Sequence, residues 1–177
     1  YWTYASGTDQ IAELLPGGNR FMRFRGCAKS NSVASKAYMT LAGHSHLPGG
    51  DGSGDQGALC GSACYQKIQS GMNLRWMQRN AEGCAAIISL EFTDGTYLHS
   101  TQWDVRDTGG RSIIPGGRCN YFPPGTQPHY VQINFNSIDN HQMIGKTIRR
   151  YLVVYDNTGN IENERWRIYF DGVTLSY

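Results

Sequence analysis

The feature that most constrains this chain is a strict two-residue alternation in its last third. Val131, Ile133 and Phe135 are apolar, whereas Gln132, Asn134 and Asn136 between them are polar. Successive side chains of a strand point to opposite faces, so this pattern demands one buried and one solvated face. Trp166, Ile168 and Phe170 alternate in the same way with Arg165, Arg167 and Tyr169. Asp171-Gly172 then reads as a turn before a closing strand over 173–177. The run 150–155 is apolar on both faces, which marks a central strand.

Shorter strand-like runs precede these: 21–25, 36–41, 73–79, 85–92 and 97–99, with an aromatic stretch at 1–4 that reads as an edge strand. Asp94-Gly95, Gly109-Gly110, Pro115-Gly116-Gly117 and Asn157-Thr158-Gly159 punctuate them. The composition agrees, with 22 Gly, 11 Tyr and only 17% charged residues, since strands favour aromatic residues and tight turns favour glycine. One segment has a different period. Residues 8–15 offer an N-cap at Thr8 and helical apolar spacing, ending at Pro16-Gly17-Gly18. The expectation is an all-β jelly-roll β-sandwich with one short N-terminal helix, built as a single domain over 1–177.

Charge and cysteine content narrow the partners. A net charge of +2 without a Lys/Arg run gives no nucleic-acid footprint, and no apolar stretch is long enough to span a bilayer as a helix. No charged-then-apolar leader stands at Tyr1, so a mature secreted chain is expected. Cys27, Cys60, Cys64, Cys84 and Cys119 are widely spread, which fits disulfides in an oxidising, extracellular setting. Five is odd, so one thiol is left free, buried or bridged to another chain. A metal site from Cys60, Cys64, His44 and His46 ranks below disulfides, because a second tight ligand pair is missing. The glycine-rich loop 43–57 matches neither a phosphate loop nor a calcium loop, and no metal or cofactor is expected.

His46-Leu47-Pro48-Gly49-Gly50, the glycine-rich loop with Cys64, and the strand Asn73-Leu74-Arg75-Trp76-Met77-Gln78-Arg79 together resemble the central segment of family-14-type polysaccharide lyases. The resemblance covers about a quarter of the chain. It implies a jelly roll with a cleft for an anionic polysaccharide and β-elimination at a uronic acid. Arg75 would then neutralise the carboxylate, which a guanidinium meets with two parallel bonds. His46 stands where the family has lysine, and the strand 85–92 lacks the family's tyrosine pair. Tyr97 and His99 lie a turn later with the right spacing to replace that pair.

Two sets of candidates follow. His46, Arg75, Tyr97 and His99 are the catalytic set of a lyase. Asn73, Arg75 and Arg79 share one face of a strand, and with Gln132 and Asn134 they make the ligand-binding set. Trp103, Tyr121 and Phe122 would stack on sugar rings or close the ends of the core. Glu91, Asp94, Asp104 and Asp107 show no spacing that singles out a glycosidase pair. The leading reading is a secreted, lectin-like domain that binds an acidic or neutral polysaccharide in a groove. An active uronate lyase is the second, and a structural extracellular module linked through the odd cysteine the third.

Overall fold

The computed structural model describes residues 9–14, 20–27, 36–43, 65–82, 86–100, 102–114, 127–156 and 165–177. These hold the strands β1 (Asp9–Leu14), β2 (Arg20–Cys27), β3 (Lys36–Gly43), β4 (Asn73–Glu82), β5 (Ala86–Phe92), β6 (His129–Asn134), β7 (Ile148–Asp156) and β8 (Arg165–Ser176). They form a five-stranded sheet in the order β1-β2-β8-β4-β6 and a three-stranded sheet in the order β3-β7-β5. Every pairing is antiparallel. From β2 onward each successive strand lies in the other sheet, so the chain wraps repeatedly around one core. Apolar residues of both sheets join a single buried cluster, with Leu74, Trp76, Val131, Ile133, Ile168 and Phe170 from the larger sheet and Ile88, Leu90 and Val153 from the smaller. The all-β sandwich expected from the alternation is the fold observed, and β7 is the central, doubly buried strand of its sheet.

Strand β4 shows how the pattern sets the packing. Leu74, Trp76, Gln78 and Asn80 are buried, whereas Arg75, Met77 and Arg79 between them are part-exposed. Two of these buried residues are polar, and burial without partners would cost each of them roughly 1–3 kcal/mol. Both are satisfied. Trp76 Nε1 donates to Gln78 Oε1 at 3.0 Å, and Gln78 Nε2 donates to Asn80 Oδ1 and to the Ala86 carbonyl, each at 2.8 Å. The Ala86 bond ties the larger sheet to β5 in the smaller one. At the sandwich's other end the buried Asn140 fastens the loop 102–114 to the end of β6. Its Nδ2 donates to the carbonyls of Arg106 (2.7 Å) and Asn134 (3.0 Å), and its Oδ1 accepts from Arg106 N at 2.9 Å.

Two local expectations are corrected. Residues 9–14 form a strand instead of the expected helix, paired with β2 from Asp9↔Arg25 to Leu14↔Arg20. A helix that short is marginal in water, and pairing with the next strand, β2, supplies backbone bonds in its place. The Pro16-Gly17-Gly18 stop therefore separates two paired strands. Asp171-Gly172 is likewise no turn between strands, because β8 runs unbroken through it. Two β8 residues oppose one on β4 there, since Arg75 pairs with Thr174 but Met77 pairs with Asp171. Gly172 sits at φ +60°, the left-handed conformation such a bulge needs. The bulge switches parity. Ile168 and Phe170 are core before it, and Val173 and Leu175 pack on the core after it. The aromatic stretch 1–4, most of the loop 43–57, and Cys60, Cys64, Cys84 and Cys119 lie outside the described residues, so no disulfide or interchain bridge is tested.

A polar staple holds the turn after β5. Lys146 Nζ donates to Asp94 Oδ2 (2.6 Å) and Thr96 Oγ1 (2.9 Å), and it lies over the rings of Trp103 (4.9 Å) and Phe92 (5.4 Å). Hydrogen bonds from the Lys146 ammonium, and then from Thr96, hold the Asp94 carboxyl down to about 2. A carboxyl depressed on folding stabilises the native state above its unfolded value of about 3.9, and that share is lost as pH falls through the folded value. The Asp94 side chain is half exposed, so its worth is that of a surface pair. Asp94→Asn is expected to lower Tm by about 1–3 °C at neutral pH. Thermal unfolding should show the difference closing as pH is brought down to about 2, where both proteins lack the charge.

Candidate functional site

The outer face of the five-stranded sheet gathers the residues that can hold a ligand. Odd-numbered β4 residues point away from the core, so Asn73, Arg75 and Arg79 stand in a row. Register places Asn134 and Gln132 of β6 beside Asn73 and Arg75, with Ser176, Thr174 and Tyr169 of β8 on the other side. The side chains are linked. Gln132 Nε2 donates to Asn73 Oδ1 at 2.8 Å, and Asn73 Nδ2 donates to the Gly71 carbonyl at 3.0 Å. Arg75 donates through Nε to Gln132 Oε1 (3.4 Å) and through Nη1 to Ser176 Oγ (2.9 Å). Its Nη2 has no partner among the described residues. Tyr130 OH donates to Gln132 Oε1 at 3.3 Å.

Three strands thus share one hydrogen-bonded ladder, Asn73–Gln132–Arg75–Ser176, fixed before any ligand arrives. Two exposed tyrosines flank it. Tyr130 is 57% exposed on the edge strand β6, and Tyr177 is 68% exposed just past the end of β8. Tyr177 bonds Gln69 through its hydroxyl and lies against Gly71, where a Cβ would come within 3.5 Å of the ring. Arg79 stands apart from the ladder, over the face of the buried Tyr169 at 5.5 Å. Asn134 is engaged in the turn after β6, its Oδ1 accepting from Asn136 N at 2.7 Å. All five residues of the ligand-binding set therefore lie on one face, with Asn134 occupied in a turn.

The catalytic set is not brought together. Tyr97 and His99 are neighbours, their rings 5.2 Å apart, but they lie alongside β5 in the other sheet. Only an isolated bridge, Glu91↔Tyr97, forms where a strand was expected over 97–99. His99 Nδ1 pairs with Ser89 Oγ at 2.7 Å. Burial, followed by the negative charge of Glu91, raises the Tyr97 pKa, although Arg150 acts against this. A phenol held that way stays neutral and is a poor proton acceptor. Arg75 projects from the far side of the larger sheet, and sheets in a sandwich stand about 10 Å apart. His46 lies outside the described residues. No single ligand spans Arg75 and Tyr97 through the core.

The acids have local duties. Glu91, 1% exposed, pairs with Arg150 on β7. Asp104 pairs with Arg106 at 2.5 Å, and Asp107 Oδ1 accepts from the backbone of Gly109 (2.9 Å) and Arg111 (2.8 Å). Trp103 packs against the core beneath Lys146, and Tyr121 and Phe122 lie outside the described residues. Among the described residues no cluster of three or more His, Cys, Asp or Glu could hold a metal, and no helix is long and apolar enough to cross a membrane. Sequence reasoning missed Tyr130, Ser176 and Tyr177. Tyr130 was within reach, as it continues the Gln132–Asn134 row by the same alternation. Ser176 depends on the Gly172 bulge, which no local pattern announces.

No protein-family model matches the chain. No curated protein matches it either. Among solved structures, two crystal structures of a family 30 carbohydrate binding module are similar, each at 10% identity over 98% of this chain. One is covered over 85% of its length with a TM-score of 0.44, the other over 75% with a TM-score of 0.42. The resemblance to family-14-type polysaccharide lyases gains no support from these comparisons, and its arginine and its proton-transfer candidates are parted by the core.

The Glu91–Arg150 pair gives a stability test. Removing one partner of a buried ion pair leaves an uncompensated charge, at a cost of about 3–5 kcal/mol. Arg150→Met should therefore destabilise the protein strongly in urea unfolding. The double variant with Glu91→Leu should recover a large part of that loss.

Proposed function

We propose that this chain is a glycan-binding module of the extracellular space, whose polysaccharide ligand lies across the outer face of the five-stranded sheet. The observation that carries the reading is the prearranged ladder Asn73–Gln132–Arg75–Ser176, in which Arg75 Nη2 has no partner among the described residues. Sugars present paired hydroxyls that alternate as donor and acceptor, and a ladder of amide, hydroxyl and guanidinium groups matches them without ordering side chains on binding. Tyr130 and Tyr177 offer exposed aromatic faces on which the C–H side of a pyranose packs. The extracellular setting is supported by the five scattered cysteines.

A glycan array followed by calorimetry on the best ligand tests this. Arg75→Ala should weaken binding about 10–100-fold, since a hydrogen bond to a charged group contributes about 1.5–3 kcal/mol. Tyr130→Ala should weaken it by about tenfold. Both variants should keep the wild-type circular dichroism. Incubation with uronate polymers should give no rise in absorbance from an unsaturated product; a rise abolished by Arg75→Ala would establish a lyase instead. Wild-type protein that binds no glycan, or variants that bind as tightly as the parent, would refute the assignment.

A further inference from the structure

The sequence holds three Asp-Gly pairs, at 51–52, 94–95 and 171–172, of which the last two are among the described residues. With no Cβ on its second residue, such a pair lets the glycine amide nitrogen close on the aspartyl carboxyl. The fold treats the two described pairs in opposite ways. At 94–95 the carboxylate and the amide are both engaged elsewhere. Asp94 Oδ1 accepts from Thr96 N (3.0 Å) and Thr96 Oγ1 (2.6 Å), and Oδ2 accepts from Lys146 Nζ at 2.6 Å. Gly95 N donates to the Phe92 carbonyl at 3.0 Å. The staple also holds the Asp94 carboxyl down to about 2, so it stays ionised, and a carboxylate repels a nucleophile. At 171–172 the two groups meet. Asp171 is exposed, and Gly172 N donates to its Oδ1 at 2.7 Å. Gly172 belongs to the bulge, at φ +60°, and a Cβ placed there would touch nothing within 4 Å. Nucleophile and target are therefore in contact, in open space, where the ladder is locally interrupted.

We propose that Asp171-Gly172 is a site of spontaneous isoaspartate formation, and that the change loosens the C-terminal part of β8 from β4. The chemistry needs only water. Gly172 N forms a bond to Asp171 Cγ, and the carboxyl oxygen leaves as water with the amide proton, closing a five-membered imide. Water then opens the ring at either carbonyl. Breaking the bond between Cγ and nitrogen restores aspartate. Breaking the bond between the main-chain carbonyl carbon and nitrogen leaves the chain running through Cγ, longer by one carbon, with a free carboxylate on Cα. That extra atom falls upstream of the pairs Arg75↔Thr174, Leu74↔Leu175 and Asn73↔Ser176. Leu175 packs on the core and Ser176 Oγ accepts from Arg75 Nη1 at 2.9 Å, so both contacts depend on the spacing that the reaction alters.

The test ages the folded full chain in neutral buffer and samples it over weeks. Isoaspartyl methyltransferase with a labelled methyl donor marks the product, and peptide mapping assigns each label. Label at 171 should accumulate about tenfold or more faster than at 94, a difference in barrier of about 1.4 kcal/mol. In strong urea, where neither environment survives, the two pairs should age at similar rates. Asp171→Glu keeps the charge but disfavours the five-membered ring, and its peptide should carry no label. No label at 171 in the folded chain, or no more than at 94, would overturn the assignment. A preference for 171 that persists unchanged in urea would overturn it too, because the fold would not be its cause. The aged fraction, separated by chromatography, should exchange the amides of 173–176 faster and melt a few degrees lower than the unaged chain. Identical exchange and melting would sink the loosening of β8.

Discussion

Strand β4 is bonded on both sides, and its strict alternation is the constraint on which the rest depends. Its even residues must fill the core, and the largest, Trp76, is fully buried. That fixes the strand's rotation about its own axis. Gln78 then reaches the Ala86 carbonyl and locks the larger sheet against β5. Asn73, Arg75 and Arg79 are outside because Leu74, Trp76 and Gln78 are inside. The binding face is the reverse side of a packing decision, and its rigidity is inherited from the core.

Much of this was legible because it follows from period-two patterning, which is local. The strands at 73–79 and 131–135 and the shared face of Asn73, Arg75 and Arg79 come from counting by twos, and those at 85–92 and 150–155 from short apolar runs. Other features depend on partners outside the segment itself. Ile11, Leu14 and Leu15 have helical spacing, yet β2 turns their segment into a strand, and nothing within 8–15 reports that partner. The bulge at Gly172 is set by a mismatch of length between β4 and β8. Tyr97 and His99 have the spacing of a proton-transfer pair, but their chemistry is decided by Glu91, Arg150 and Ser89 beside them. Spacing shows which groups share a face. It does not show what environment the fold gives them.

The charged groups divide between the two sheets. Around the smaller sheet, Glu91 meets Arg150 and Asp94 meets Lys146, so acids and bases are consumed in holding strands and turns. On the outer face of the larger sheet Arg167 meets Glu82, whereas Arg75 bonds the neutral Gln132 and Ser176. With a net charge of only +2, overall charge says little about what such a domain meets.

The parity switch at Gly172 makes the C-terminal end of the chain depend on phase. Val173 and Leu175 face inward, and Thr174 and Ser176 outward, only because one extra residue is looped out upstream. Among descendants of this gene, loss of one codon at the bulge would turn the last strand over. Greasy side chains would come to the surface, and the hydroxyl that steadies Arg75 would be driven inside. Length at this point is therefore inherited as strictly as any side chain. A lineage could exchange the sugars it recognises by substituting the exposed residues, but it could not do so by trimming β8.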